Sequence, residues 1–283
     1  MTESESRRLE RRLKERFVKA MATYRLIGDG DRILVGLSGG KDSLLLTELL
    51  AQRARIQHPR FLVEALHVRM ENIHYESDTS YLEHFCKDLG ITLHIVTTRF
   101  DTASSSSEAT SSSPSEAAFS SPSEAASSPS VPYTAAVPQS PAALRRQKQP
   151  CFLCSWNRRK QLFNLAQQLG CNKIALGHHQ DDIIHTALMN LTFQGRFGTM
   201  PAMLRMRKMP LAIIRPLCLI EEADIKAYAA LRGYQQQKKL CPYETGSHRT
   251  DIRQLYDDMQ RLNPEARNSI WRALNSANKL IEE

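Results

Sequence analysis

The stretch that most constrains this chain is Ser38-Gly39-Gly40-Lys41-Asp42-Ser43. It lies between the apolar run Ile33-Leu34-Val35-Gly36-Leu37 and a second run, Leu44-Leu45-Leu46-Thr47-Glu48-Leu49-Leu50. A short β-branched run, then glycines, then a longer leucine-rich run predicts a strand that turns into a helix. The helix N-terminus at that turn presents unpaired N–H groups and the positive end of its dipole, a seat for phosphate oxygens. Two glycines allow the backbone to approach those oxygens closely. Ser38 and Ser43 add hydroxyl donors, Lys41 adds a point charge, and Asp42 stands where Mg2+ bridging phosphates would be held. The Walker loop is excluded, because it requires four residues between its glycines followed by Lys-Ser/Thr. A glycine turn without chemistry needs the glycines alone, whereas six specified residues in this setting argue for a nucleotide-phosphate site.

The rest of the chain alternates short apolar strands with helices. Leu9, Leu13, Phe17, Met21 and Tyr24 recur at helical spacing and predict a first amphipathic helix with an Arg/Lys outer face, ended by Gly28-Asp29-Gly30-Asp31. Strands are expected over 32–37, 61–67, 92–97, 173–176 and 211–215, and helices to about 55, over 77–89, 151–169, from 181 to about 193, and over 221–231, 249–262 and 264–281. Loops are expected over 68–76 and 194–210, and a turn at 238–243. Such alternation implies an α/β fold with a doubly wound parallel sheet and helical additions at both ends. Ligands of such sheets bind outside the carboxyl ends of the strands.

Residues 103–142 break this pattern. They are Ser, Ala, Pro and Glu with an eight-residue period in Ser107-Glu108-Ala109, Ser115-Glu116-Ala117 and Ser123-Glu124-Ala125. A segment with so little to bury is expected to be a disordered insertion. The expected organisation is therefore a basic helix over 1–27, an α/β domain over 28–102 and 143–235, the insertion between them, and a Cys-containing turn with helices over 236–283.

Charge adds a partner class. The net charge is +8, and residues 1–25 hold eight Arg/Lys, Arg8 and Arg12 among them, against four Glu. From Ile183 to Ile220 there is no acid, while Arg196, Arg205, Arg207, Lys208 and Arg215 appear. An acidic polymer, RNA foremost, fits this distribution, and so does a solvated basic surface. No run approaches the about 18 apolar residues of a membrane span, and the charged N-terminus is unlike a secretory signal, so a cytoplasmic protein is expected.

In that compartment the six cysteines are metal ligands, catalytic groups or buried thiols rather than disulfides. Cys86, Cys171 and Cys218 have apolar neighbours and read as small buried hydrophobes. Cys151 and Cys154 form a C-x-x-C pair with three readings: half a zinc site, a redox dithiol, or part of an iron–sulfur cluster, for which Cys241 is a third candidate.

The motif Ser38–Ser43 resembles the PP-loop of ATP pyrophosphatases. Taken with Cys151-x-x-Cys154 followed by Arg158 and Arg159, Leu176-Gly177-His178-His179-x-Asp181-Asp182 and Ile214-Arg215-Pro216-Leu217, the chain resembles the TtcA/TtuA family of tRNA thiolation enzymes. The likeness is strongest to its 2-thiocytidine-forming branch. That resemblance implies adenylation of a tRNA cytidine at position 32 with ATP and Mg2+, followed by replacement of its C2 oxygen with sulfur. It also implies a [4Fe-4S] cluster on Cys151, Cys154 and Cys241, and a cysteine desulfurase or related sulfur carrier as partner; a homodimer is compatible with it. By the same resemblance, Ser38 to Ser43 hold the phosphates, Gly177 and His178 help form the nucleotide pocket, and Asp181 or Asp182 binds magnesium or acts on the base, the other capping the helix. Arg158 steadies the adenylate or the polarised carbonyl, or else contacts tRNA phosphate as Arg159 would. His179 and His185 are left as surface or packing residues. The competing readings are thiolation of another tRNA base, as in 2-thiouridine, a PP-loop amidating ligase of the tRNA lysidine synthetase type, and an RNA-binding iron–sulfur sensor.

Overall fold

The structure is a computed structural model that describes residues 2–99, 150–237, 239–241 and 248–282. The Ser-rich insertion expected at 103–142 and the basic stretch Arg145-Arg146-Gln147-Lys148 lie outside the described residues, as do Lys238 and residues 242–247.

The chain opens with helix α1 (Glu3–Thr23), started by a reciprocal cap between Thr2 and Glu5. Its buried seam is Leu9, Leu13, Phe17, Ala20 and Met21. Strand β1 (Asp31–Gly36) leads through the Ser38–Gly40 turn into α2 (Lys41–Ala54). Then follow β2 (Phe61–Met70), β3 (His74–Tyr75), α3 (Ser80–Leu89), β4 (Thr92–Thr98), α4 (Pro150–Gln168), β5 (Lys173–Ala175) and α5 (Gln180–Gln194). The chain ends with β6 (Met203–Arg205), β7 (Ala212–Ile214), α6 (Glu222–Arg232), β8 (Lys239–Leu240), α7 (Arg249–Leu262), α8 (Ala266–Ser276) and β9 (Ile281–Glu282).

Seven strands form one sheet in the order β4-β2-β1-β5-β7-β6-β9. The first five of that order are parallel to their neighbours, whereas β6 is antiparallel to β7. Both faces of the central parallel strands β1, β5 and β7 are covered, which explains their apolar runs. Ile33, Val35, Ala65 and Ala175 enter the large core that contains α2, α3 and α5, while Leu34, Leu66 and Ile174 pack with Ala166 of α4 on the other face. From β1 the chain winds outward through β2 to β4 and then returns to place β5 on the opposite side of β1. The strand order therefore reverses between β1 and β5, the place at which ligands of such sheets bind.

Three expectations are corrected. The 194–210 loop contains β6, which forms a hairpin with β7, and the 68–76 loop contains the end of β2 and all of β3, which pairs with β8. The last helix ends at Ser276 rather than at 281, because Asn278 takes a left-handed φ of 53° and Leu280 is buried as the chain turns into β9 beside β6. Among the described residues no helix is long and apolar enough to cross a membrane.

Candidate active site

The turn after β1 is locked from several sides. Gly39 has a φ of +80°, a backbone conformation that side chains disfavour, and a Cβ on it would meet Gln237 Cγ at 2.8 Å. Gln237 lies across this turn, its N–H donating to Gly39 O at 2.9 Å and its side-chain amide to Asp78 O at 3.0 Å. Ser43 Oγ donates to Gly40 O at 2.9 Å and stands 3.1 Å from Ser38 Oγ, so the two hydroxyls share one end of the loop. Gly40 is the N-cap of α2 and offers no side-chain acceptor, which leaves the first N–H groups of the helix for an anion.

The second turn, Leu176 to His179 after β5, faces the first across a very close contact. A Cβ on Gly177 would lie 3.0 Å from Asp42 C and Ser43 N, so only glycine lets the two backbones meet. Lys41 Nζ donates to Asp42 at 3.0 Å and lies 3.2 Å from Glu222 at the start of α6. Burial opposes the charge on Lys41, but Asp42 and Glu222 outweigh it and its pKa is raised.

His178 and His179 have opposite environments. His178 Nδ1 accepts from Arg215 Nε at 3.3 Å; burial first, and the Arg215 charge second, push its pKa down to about 4. It is therefore neutral at pH 7, with its proton on Nε2. His179 is buried among carboxylates: Asp182 at 3.4 Å, Asp181 at 3.6 Å and Asp42 at 3.9 Å. Burial works against its protonation, yet those carboxylates prevail and its pKa is raised. The expectation that His179 is a surface or packing residue is thus corrected, whereas His185 does pack, edge-on against the Tyr256 ring at 5.2 Å.

The two aspartates divide their work. Asp181 is buried; one oxygen accepts from the Glu222 N–H at 2.8 Å and the other from Arg267 at 2.7 Å. Burial alone would raise its pKa, but His179 and Arg267 hold it far below the usual carboxylate range. Asp182 accepts from the His179 N–H at 3.1 Å at the start of α5 and remains partly exposed on the side of His179 that also faces Asp42.

The predicted thiol ligands come from two elements. On α4, Cys151, Cys154 and Arg158 recur at i, i+3 and i+7 and so share one helix face. Cys154 and Cys241 both pack against Met70, Ile73 and Tyr75, at the carboxyl end of β2 next to the β1 turn, and the β3–β8 pair brings Cys241 there. Among the described residues, no group of three or more His, Cys, Asp or Glu is drawn close enough to hold a metal ion. The donors fit a soft, thiolate-ligated centre in kind and in neighbourhood. The six cysteines, all among the described residues, form no disulfide. Cys86, Cys171 and Cys218 are buried as expected, and burial raises the Cys86 thiol pKa to about 12.

The predicted basic residues separate. Arg8, Arg159, Arg196, Arg205, Arg207 and Lys208 are exposed. Arg12 is engaged by Asp224 through both sides of its fork, at 2.6 and 2.9 Å, and with Arg16 and Glu221 clips α1 to α6. Arg215 is internal, donating to Pro201 O at 2.5 Å. The Arg158 Nε is buried with no hydrogen-bond partner. Sequence reasoning missed Glu222, Arg267 and Gln237, which resemble ordinary surface residues; Arg215 and His179 stood inside quoted motifs and could have been found there.

A parallel sheet whose switch point holds a Ser-Gly-Gly-Lys-Asp-Ser turn against a Gly-His-His turn defines an ATP-binding PP-loop protein. A family model described as a PP-loop domain matches residues 6–117. The tRNA-cytidine(32) 2-sulfurtransferase of Pseudomonas syringae pv. tomato is 31% identical over 270 residues, covering 95% of this chain and 85% of the relative. That of Pseudomonas syringae pv. syringae is 30% identical over the same shares. The chain belongs to the tRNA-cytidine(32) 2-sulfurtransferase family. Among solved structures, the U34-tRNA thiolase NcsA from Methanococcus maripaludis with its [4Fe-4S] cluster shares the fold, with a TM-score of 0.63 and 22% identity over 94% of this chain and 78% of that one.

Proposed function

We propose that this chain is an ATP-dependent tRNA sulfurtransferase that converts cytidine 32 to 2-thiocytidine. The observation that carries the reading is the meeting of Cys154 and Cys241, far apart in sequence, on one apolar floor beside the nucleotide turn. A lysidine-type ligase has no use for such a meeting.

The C2 carbonyl oxygen of the cytidine attacks the α-phosphorus of ATP and pyrophosphate leaves. Sulfur then adds at C2, the C–O bond breaks, and AMP departs with the oxygen. Ser38, Gly39, Gly40, Lys41 and Ser43 hold the departing pyrophosphate, and Asp42 would hold Mg2+, which would supply countercharge to the phosphates. Lys41 exchanges its contacts to Asp42 and Glu222 for phosphate oxygens. Gly177 and the neutral His178 wall the nucleotide pocket, with His178 Nε2–H as a donor. Asp182 supports the Mg2+ side from across His179, while Asp181 positions α5. The buried, unpartnered Arg158 Nε, on the face it shares with the cysteines, suits the α-phosphate of the adenylate.

Cys151, Cys154 and Cys241 would hold a [4Fe-4S] cluster, whose chemistry when bound would be to carry sulfur to the base. A cysteine desulfurase or related carrier, with a thiol reductant that releases its persulfide sulfur as sulfide, supplies that sulfur in the cytoplasm, and Arg8, Arg159, Arg196, Arg205, Arg207 and Lys208 contact tRNA phosphates. The test is anaerobic thiolation of a tRNA transcript with ATP, Mg2+ and sulfide, read by nucleoside mass spectrometry. Asp42→Ala is expected to lower 2-thiocytidine formation more than a hundredfold while tRNA binding persists. Undiminished thiolation by that variant would sink the adenylation step.

A further inference from the structure

The segment that follows α6 crosses the nucleotide turn before it reaches the third thiol, and Gln237 is its point of contact there. The segment begins tied to α2: the Tyr234 hydroxyl donates to Glu48, which is buried and also accepts from the Tyr228 hydroxyl at 3.1 Å. It ends tied to β3, with Tyr75 opposite Lys239 and His74 opposite Leu240. Between these anchors the Gln237 N–H donates to Gly39 O at 2.9 Å, and its side-chain carbons leave no room for a Cβ on Gly39. The amide Nε2 donates to Asp78 O at 3.0 Å, in the connection from β3 to α3. Its Oε1 is buried and finds no hydrogen-bond partner among the described residues, so the bond to Asp78 is what orients the amide. Cys241 follows four residues on, a reach of at most about 14 Å. There it packs with Cys154 against Met70, Ile73 and Tyr75, and Tyr75 stands three residues before Asp78. Gln237 thus grips the nucleotide turn with its backbone and the approach to the thiol floor with its side chain.

The carbonyl that Gln237 holds and the Gly40 N–H belong to one planar peptide unit. That N–H lies a long 3.4 Å from the Ser38 hydroxyl and forms part of the anion seat at the start of α2. A phosphate oxygen that takes up the N–H makes the carbonyl of the same unit a better acceptor and tightens its bond to Gln237. We propose that Gln237 is a positioning residue, through which phosphates seated in the Ser38–Ser43 turn set the disposition of the Cys241 thiol. The proposal rests on the sulfurtransferase reading above and deepens it. Two reacting groups brought to one base must be held in a fixed relation, and here a single side chain ties the element that binds one to the segment that carries the other.

Cys241 is partly exposed, so its reaction with iodoacetamide can be followed by peptide mass spectrometry in the full-length protein, purified without iron and kept reduced. ATP with Mg2+ is expected to slow this labelling about fivefold. Gln237→Met keeps the bulk over Gly39 and removes the donor to Asp78; it should abolish the slowing while calorimetric titration still finds ATP bound with a similar Kd. In the thiolation assay the same variant should lower kcat about tenfold and leave the KM for ATP unchanged, a split that a loss of phosphate binding would not give. Gln237→Asn, whose amide stops one carbon short, should behave alike and serves as the second variant if methionine upsets the fold. Equal slowing in the unaltered protein and in Gln237→Met overturns the proposal, because ATP would then shield the thiol directly. Labelling indifferent to ATP in an unaltered protein that binds it also overturns the proposal. So does a Gln237→Met defect that saturating ATP repairs, which would leave only a phosphate contact. If the unaltered protein binds no ATP, the functional reading fails first and the proposal with it.

Discussion

Adjacent histidines with opposite protonation preferences give this site a pH signature. The His178 pKa in the fold lies near 4, against about 6.5 in an unfolded chain. Between those values the unfolded chain holds a proton that the fold does not, so this contribution is full above pH ~6.5 and is lost as pH falls through ~4. His179, with a raised pKa, acts in the other sense: its contribution is full below pH ~6.5 and disappears as pH rises through its folded value. Urea unfolding without ATP or Mg2+ should show that His178→Asn removes about 3 kcal/mol of the stability rise between pH ~4 and ~6.5. An identical pH slope in both proteins would contradict the assigned environment of His178. Gly177 is as exacting. Gly177→Ala places a methyl group 3.0 Å from the backbone of Asp42 and Ser43, and the loss should fall on ATP binding, with about 1–3 kcal/mol of strain in the fold. Calorimetric titration with ATP measures the first effect and urea unfolding the second.

The elements around the site are held by a few buried charges. Asp181 on α5 receives the N–H at the start of α6 and Arg267 from α8, so three helices close on one carboxylate. Arg267→Ala leaves that carboxylate under-paired and should cost about 3 kcal/mol, measurable by urea unfolding at pH 7. A loss below ~1 kcal/mol would show that the latch is dispensable. The helices were legible in the sequence from their length and apolar spacing, and the five parallel strands from short apolar runs between turn signals. The expected ends at Arg55, Leu89 and Leu262 agree with the structure to within a residue. Strands β3, β6, β8 and β9 were not legible. Two or three residues carry no period, and these strands exist because a partner lies alongside: β8 for β3, and the β6 edge for β9. The same holds at the site. The Ser38–Ser43 turn could be read locally, whereas Glu222 and Gln237 reach it only through the return of the chain after β7.

The whole molecule joins a nucleotide turn and a thiol neighbourhood at the carboxyl edge of one sheet, whereas Arg205 and the turn that carries Arg207 and Lys208 lie at the opposite edge, where β7 begins. Every described strand finds its neighbour without residues 103–142. Excising them should leave the melting temperature within about 2 °C of the full chain, and a larger drop in a thermal scan would mean that the segment contributes to the core. The central claim, sulfur for oxygen at C2 of a tRNA cytidine, is tested most directly in cells. Mass spectrometry of tRNA nucleosides should find 2-thiocytidine absent from a strain lacking this chain, other thiolated nucleosides retained, and 2-thiocytidine restored by the intact gene but not by one encoding Asp42→Ala. Persistence of 2-thiocytidine in the deleted strain would contradict the account.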